Sequence, residues 1–241
     1  MVEDETIEEV EEEAEEEESS ETKTLKQGKG DIRPNFNFLL KKKDIRILIL
    51  GADGSGKTVL GHNLLEQFHN AGVPCSFWAP VTISKHPEKY FKGDMKWLNI
   101  QNWKWPKLER NTMHLIDDTQ LQAHAREHWK KRNINYAKIM TVARHKHAGV
   151  IITTQQGADI DKKLLAKAHV ILFKKPTFLG AETERPFLKE ISKDVRLLYK
   201  RDIESKGLNP QEYTYVISDL YMGWVGPNGF SSYWTTELGD W

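Results

Sequence analysis

The sequence predicts an α/β fold: a mostly parallel central sheet flanked by helices, with a phosphate-binding loop at the end of its first strand. Three observations predict it. Short apolar runs alternate with helical patterns, as expected for strands buried on both faces of a parallel sheet. The first run, Arg46-Ile47-Leu48-Ile49-Leu50, leads directly into Gly51-Ala52-Asp53-Gly54-Ser55-Gly56-Lys57-Thr58. That stretch in turn opens a helical pattern, Val59-Leu60-Gly61-His62-Asn63-Leu64-Leu65.

The elements follow in order. The first strand reads over 45–50, and its helix runs to about His69, where Asn70-Ala71-Gly72 stops it. Pro74 to Ala79 gives a second strand. Residues 82–111 are less regular and rich in Lys and Trp. Such residues either stack on bases and touch phosphates or pack rings on the sheet with lysines in solvent. Met113-His114-Leu115-Ile116 is the next strand, and a long helical pattern covers Gln120 to Arg144. Gly149 to Thr154 is a fourth strand, Asp159 to Lys167 a short helix, and Ala168 to Phe173 a fifth strand ending at Lys174-Lys175-Pro176. Beyond 185 the pattern weakens to a basic helix over 187–206, a strand over 213–217 and a Gly/Trp/Tyr-rich end. No internal repeat is present.

The loop carries the first chemistry. Strand, glycine-rich turn, Lys-Thr and helix form a nucleoside triphosphate site, because the backbone N–H groups of Gly51, Ala52, Asp53, Gly54, Ser55 and Gly56 curl around phosphate oxygens. The helix N-terminus adds its positive dipole end. Lys57 reaches the β- and γ-phosphates and the Thr58 hydroxyl sits on Mg²⁺. The strand at 113–116 ends in Asp117-Asp118. There Asp117 holds the metal beside Thr58, and Asp118 deprotonates the attacking water as general base. The alternative is that the pair caps the helix opening at Thr119. The next strand ends in Thr153-Thr154-Gln155, whose tip can touch both γ-phosphate and water; Gln155 is the chosen sensor, with Thr154 and Gln156 behind it. Arg126, Arg132 and Arg144 compete as a finger reaching into a neighbouring subunit, and Arg144 is preferred. His124 and His128 stand four apart, a metal-compatible spacing without a convincing third partner.

Composition sets the class. A hydrophobic content of 39% suffices for a core, and the formal charge is zero. That zero hides a segregation: residues 1–22 hold 13 acidic residues and no Lys or Arg, leaving 22 acidic against 35 basic, a net +13, over 23–241. Residues 1–22 read as a disordered acidic tail and 23–44 as a basic polar linker. Residues 45–241 form one nucleotide-binding domain, with a core at 45–176 and a C-terminal extension at 177–241. A basic body favours a polyanionic partner such as nucleic acid over plain solvation. No apolar run approaches the ~20 residues of a membrane span, and no signal peptide opens the chain. The single Cys75 suits a reducing, cytoplasmic setting.

Together the loop, Asp117-Asp118 and the Thr154-Gln155 strand end resemble the ASCE division of P-loop NTPases, which implies a RecA-like sheet. Arg144-His145, an apolar strand, Thr154-Gln155 and then Leu172-Phe173-Lys174-Lys175-Pro176 look like the FtsK/HerA superfamily. Within it the chain is similar to the genome-packaging ATPases of membrane-containing viruses and their archaeal-virus relatives, with Zot-like phage proteins nearby. The resemblance spans 45–176. It implies a ring, usually a hexamer, that hydrolyses ATP with Mg²⁺ and translocates DNA, expected to be double-stranded, into a procapsid. Capsid or portal-vertex proteins would be partners, and the location cytoplasmic or virion-associated. The family motifs map onto Lys57, Thr58, Asp117, Asp118 and Gln155, with Arg144 as finger. Two features depart from the family: it commonly carries Glu where Asp118 stands, and the region after 185 does not align. Competing readings are a P-loop kinase with a lid drawn from Arg185, Arg196 and Arg201, and a Zot-like phage assembly ATPase. Gln155 argues against the kinase, since transfer to an acceptor hydroxyl needs no water-positioning residue.

Overall fold

An eight-stranded sheet organises the chain. The computed structural model describes residues 32–42, 44–79, 96–99, 108–117, 139–154, 165–184 and 186–229. The strands are β1 (Arg46–Leu50), β2 (Cys75–Ala79), β3 (Lys96–Asn99), β4 (Met113–Ile116), β5 (Gly149–Thr154), β6 (Val170–Phe173), β7 (Thr214–Ser218) and β8 (Met222–Val225). Their order across the sheet is β3-β2-β4-β5-β1-β6-β7-β8. The first six pair in parallel, while β7 and β8 join antiparallel at one edge. The expected mostly parallel sheet is therefore present.

The apolar alternation of β1 explains why it is central. Ile47 and Ile49 face one core with Leu60, Leu64, Leu65 and Phe68 of helix α1 (Lys57–Asn70). Leu48 and Leu50 face a second core with Leu188, Val195 and Tyr199. Leu188 and Val195 belong to helix α3 (Pro186–Leu198), which follows the short helix α2 (Phe178–Thr183). With both faces covered, a strand can be apolar at every position. Helix α1 lies close on the sheet at Gly61, where a Cβ would come within 2.9 Å of Leu115 Cδ1.

Several elements differ from the sequence expectation. β3 falls inside the Lys/Trp-rich stretch, where the pattern gives no strand, and pairs in parallel with β2 from Ser76–Lys96 to Ala79–Asn99. β8 falls in the Gly/Trp/Tyr-rich end and forms a hairpin with β7. Within the stretch expected to be a polar linker, Phe36 and Leu39 are fully buried in the first core. Arg33 there bridges to Val225, and its guanidinium lies 3.9 Å from the Tyr221 ring centroid. The acidic tail, most of the long helical pattern from Gln120, and the chain end past 229 lie outside the described residues.

Candidate nucleotide site

The loop between β1 and α1 closes as its sequence demands. Gly56 stands at the N-cap of α1 with φ 88°, a left-handed conformation that disfavours any side chain. Gly51 is excluded from substitution by space instead: a Cβ would meet Lys174 Cβ at 2.6 Å and Ser55 Oγ at 2.7 Å. Lys57 is buried and donates to the Ala52 carbonyl at 2.6 Å, so its ammonium already lies across the loop. Asp53 accepts from the Gly54 N–H at 3.1 Å and is exposed. Thr58, half-buried in the first turn of α1, has its carbonyl taken by His62 Nδ1 at 2.7 Å.

Asp117 follows β4 at the same carboxyl edge of the sheet as the loop. It is buried, at 2% exposure. Its Oδ1 accepts from the Thr153 hydroxyl of β5, and its Oδ2 has no hydrogen-bond partner among the described residues. A buried carboxylate oxygen left in this state suits a cation, since an unpaired buried charge is costly. His62 lies beside it. Burial pushes the imidazole down to about 4, with the Asp117 carboxylate opposing, so His62 is neutral at pH 7 and donates through Nδ1. β5 separates β4 from β1, which leaves room at the sheet edge between Asp117 and the loop. The residues present fit both a triphosphate and Mg²⁺: a loop of backbone N–H groups, an orphan carboxylate oxygen and the Thr58 side chain at the start of α1.

The structure thus brings Gly51 to Thr58 and Asp117 together. Asp118 and Gln155 directly follow described residues in sequence but lie outside them, as do His124, His128, Arg126 and Arg132. Arg144 is exposed and lies near Arg46, at the start of β1, whose guanidinium pKa is pushed down by burial first and by the Arg144 charge to a smaller extent, with Asp44 opposing. The loop leaves the other end of β1, about 13 Å away over the four rises of ~3.3 Å from Arg46 to Leu50. Arg144 therefore stands at the sheet edge opposite its own phosphate loop.

The opposite flank of the loop holds residues to which the sequence reading gives no role in the site. Lys174 follows β6, is 1% exposed, and packs its stem against Gly51 and Gly56. Its ammonium donates to the carbonyls of Gln211 and of Tyr213, the latter at 2.9 Å. Burial drives its pKa from 10.5 down to about 7, with Glu212 opposing. Gln211 closes the circuit: its amide donates to the Gly54 carbonyl at 2.9 Å. The signal in the sequence is position alone, since a residue one past a strand parallel to β1 must lie beside Gly51.

No protein-family model and no curated protein sequence matches the chain. Solved structures do. The DNA-packaging ATPase B204 from Sulfolobus Turreted Icosahedral Virus aligns over 77% of this chain and 98% of its own, at 16% identity and TM-score 0.51. The genome packaging NTPase B204 from Sulfolobus turreted icosahedral virus 2, in complex with sulfate, aligns over 78% and 98%, at 13% identity and TM-score 0.54. The same NTPase with ATP-gammaS gives 14% identity, 78% and 99% coverage and TM-score 0.51. The chain has the fold of the B204 packaging ATPases. Likeness at this identity concerns the fold, so the chemistry must come from the site. No helix among the described residues is long and apolar enough to cross a membrane.

Proposed function

We propose that this chain is an FtsK/HerA-type ATPase that hydrolyses ATP to move double-stranded DNA, as the genome-packaging motor of a virus. The observation that carries the reading is the placement of the phosphate loop and the buried Asp117 at one edge of the sheet with one strand between them. That spacing favours hydrolysis over simple binding, because the intervening β5 ends where an attacking water must be held. The B204 fold supports the packaging assignment.

In this reading Lys57 leaves the Ala52 carbonyl and pairs with the β- and γ-phosphates, while the loop N–H groups hold the remaining oxygens. Thr58 and Asp117 Oδ2 would hold Mg²⁺, which neutralises charge developing on the phosphates. Asp118 takes the proton of the attacking water and Gln155 orients it. His62, neutral and fixed by the Thr58 carbonyl, steadies the first turn of α1 against Asp117. The subunits form a ring, proposed to be a hexamer, and Arg144 acts across a subunit boundary. The net +13 body grips DNA phosphates. Capsid or portal-vertex proteins would receive the motor, in the host cytoplasm or on the virion.

ATP hydrolysis by the purified protein, with and without double-stranded DNA across a salt series, tests this. DNA stimulation that fades as salt rises is expected. Turnover indifferent to DNA, and appearing only with a small hydroxyl acceptor, would replace the motor by a kinase.

A further inference from the structure

We propose that Phe178 and Arg196 form the platform that binds the nucleoside half of the triphosphate. The proposal rests on the nucleotide-hydrolysing reading above and assigns the part of the site that the phosphate loop does not build. A triphosphate seated on Gly51–Thr58 must extend its sugar and base to one side. The side toward β5 and β4 carries Asp117 and the water-positioning strand ends. On the other side an open cleft of about 800 Å³ begins at Ala52–Ser55 and continues along residues 175–178 and 209–211. Ligand pockets run from about 300 to 1,000 Å³, so a nucleoside fits.

The chemistry of the cleft selects what it takes. Phe178, at the start of α2, lines it with a ring that is 57% exposed. The Arg196 guanidinium of α3 lies 5.1 Å from that ring's centroid. Arg196 Nε is buried without a hydrogen-bond partner among the described residues. A bare aromatic face backed by a guanidinium is a stacking surface for a nucleobase, because every base has a π-face. Three other polar groups on the rim are engaged. Lys175 pairs with Glu204, the Asn209 amide donates to Glu212 at 3.2 Å, and the Gln211 amide donates to Gly54 at 2.9 Å. The ring reads the base's face, and stacking of that kind tolerates any base.

Calorimetry on the full chain separates the two halves of the ligand, using Mg-ATPγS and Mg-tripolyphosphate as probes. Phe178→Ala raises the Kd for ATPγS about tenfold, within what one aromatic–base stack contributes, while the Kd for tripolyphosphate stays within about twofold. Phe178→Tyr, which keeps the stack, restores wild-type affinity, and Arg196→Gln weakens ATPγS in the same selective way. Phe178 is largely exposed, so the variant keeps its fold, and an unchanged melting temperature verifies this. Unaltered ATPγS affinity in both variants, equal losses for the two probes, or a change confined to self-association would each overturn the platform while the hydrolase reading stands. A wild-type chain that binds neither probe would overturn the hydrolase reading and the platform with it.

Discussion

Lys174→Met is the substitution whose outcome is best fixed by the structure. It exchanges a buried ammonium for an apolar side chain of similar length. At 1% exposure the wild-type ammonium has given up its hydration, and its pKa falls from 10.5 to about 7. At 1.36 kcal/mol per pH unit, that displacement corresponds to about 5 kcal/mol of preference for the neutral amine. The sign follows from proton counting. Between pH 7 and 10.5 the unfolded chain holds a proton that the folded chain has lost, so wild-type stability rises with pH across that window. Below pH 7 the full cost of burying the charge is present. Methionine removes that cost but leaves the Gln211 carbonyl without its donor, a loss of about 1–3 kcal/mol. The Tyr213 carbonyl keeps the Tyr199 hydroxyl at 2.7 Å. The variant should therefore match or exceed wild-type stability at pH 6, and its advantage should shrink by about 1.4 kcal/mol per pH unit above 7. Denaturant unfolding of both proteins from pH 6 to 10 measures the difference, in which every other titrating group cancels. Parallel stability curves would refute the assignment of a strongly depressed Lys174. Nucleotide affinity should fall at all pH values, because the 209–213 turn keeps only the Gln211–Gly54 bond of its two ties to the phosphate loop.

Asp118→Asn should retain ATP binding and lose turnover, measured by nucleotide titration and phosphate release; normal turnover removes Asp118 as the base. Gly61→Val should lower stability by about 1–3 kcal/mol in a denaturant titration, because its Cβ would press within 2.9 Å of Leu115. Cys75, buried and pushed up to about 12 by burial, should resist a thiol reagent at pH 8 until the chain unfolds. Deleting residues 1–22 should raise DNA affinity at low salt, since 13 acidic side chains then no longer compete for the basic body.

How far the sequence reveals the fold depends on where each residue's reason lies. β1, β4, β5 and β6 are apolar at nearly every position, and the loop's glycines and Lys-Thr follow from local geometry, so both are legible. β3 (Lys96-Trp97-Leu98-Asn99) is hidden because an edge strand carries charge as a matter of course. β8 is hidden because Gly223 interrupts it and its pairing is supplied by β7. Phe36 and Leu39 sit in a polar stretch with no period, and only the core they enter explains them. Asp117 can be named from the strand before it. Lys174 follows only once β6 is placed beside β1, since nothing in Lys174-Lys175 itself tells which lysine turns inward.

These two classes of residue meet at the phosphate loop, which is held from both flanks. On one side Thr153 fixes Asp117, and His62 ties the Thr58 carbonyl to the same neighbourhood. On the other, Lys174 and Gln211 bind the loop to the turn that precedes β7. The residues of the first flank come from strands and helix of the parallel core. Those of the second are Lys174 at the end of β6 and residues 209–213, which lie beyond 185 where the sequence pattern weakens. Lys174 packs against Gly51 and Gly56 and holds the Gln211 and Tyr213 carbonyls, so loop and turn meet on one side chain. The weakly patterned extension thus forms one wall of the candidate nucleotide site. Its irregularity has a physical origin in that position, because a wall that meets a ligand with loops and single side chains needs no periodic apolar face.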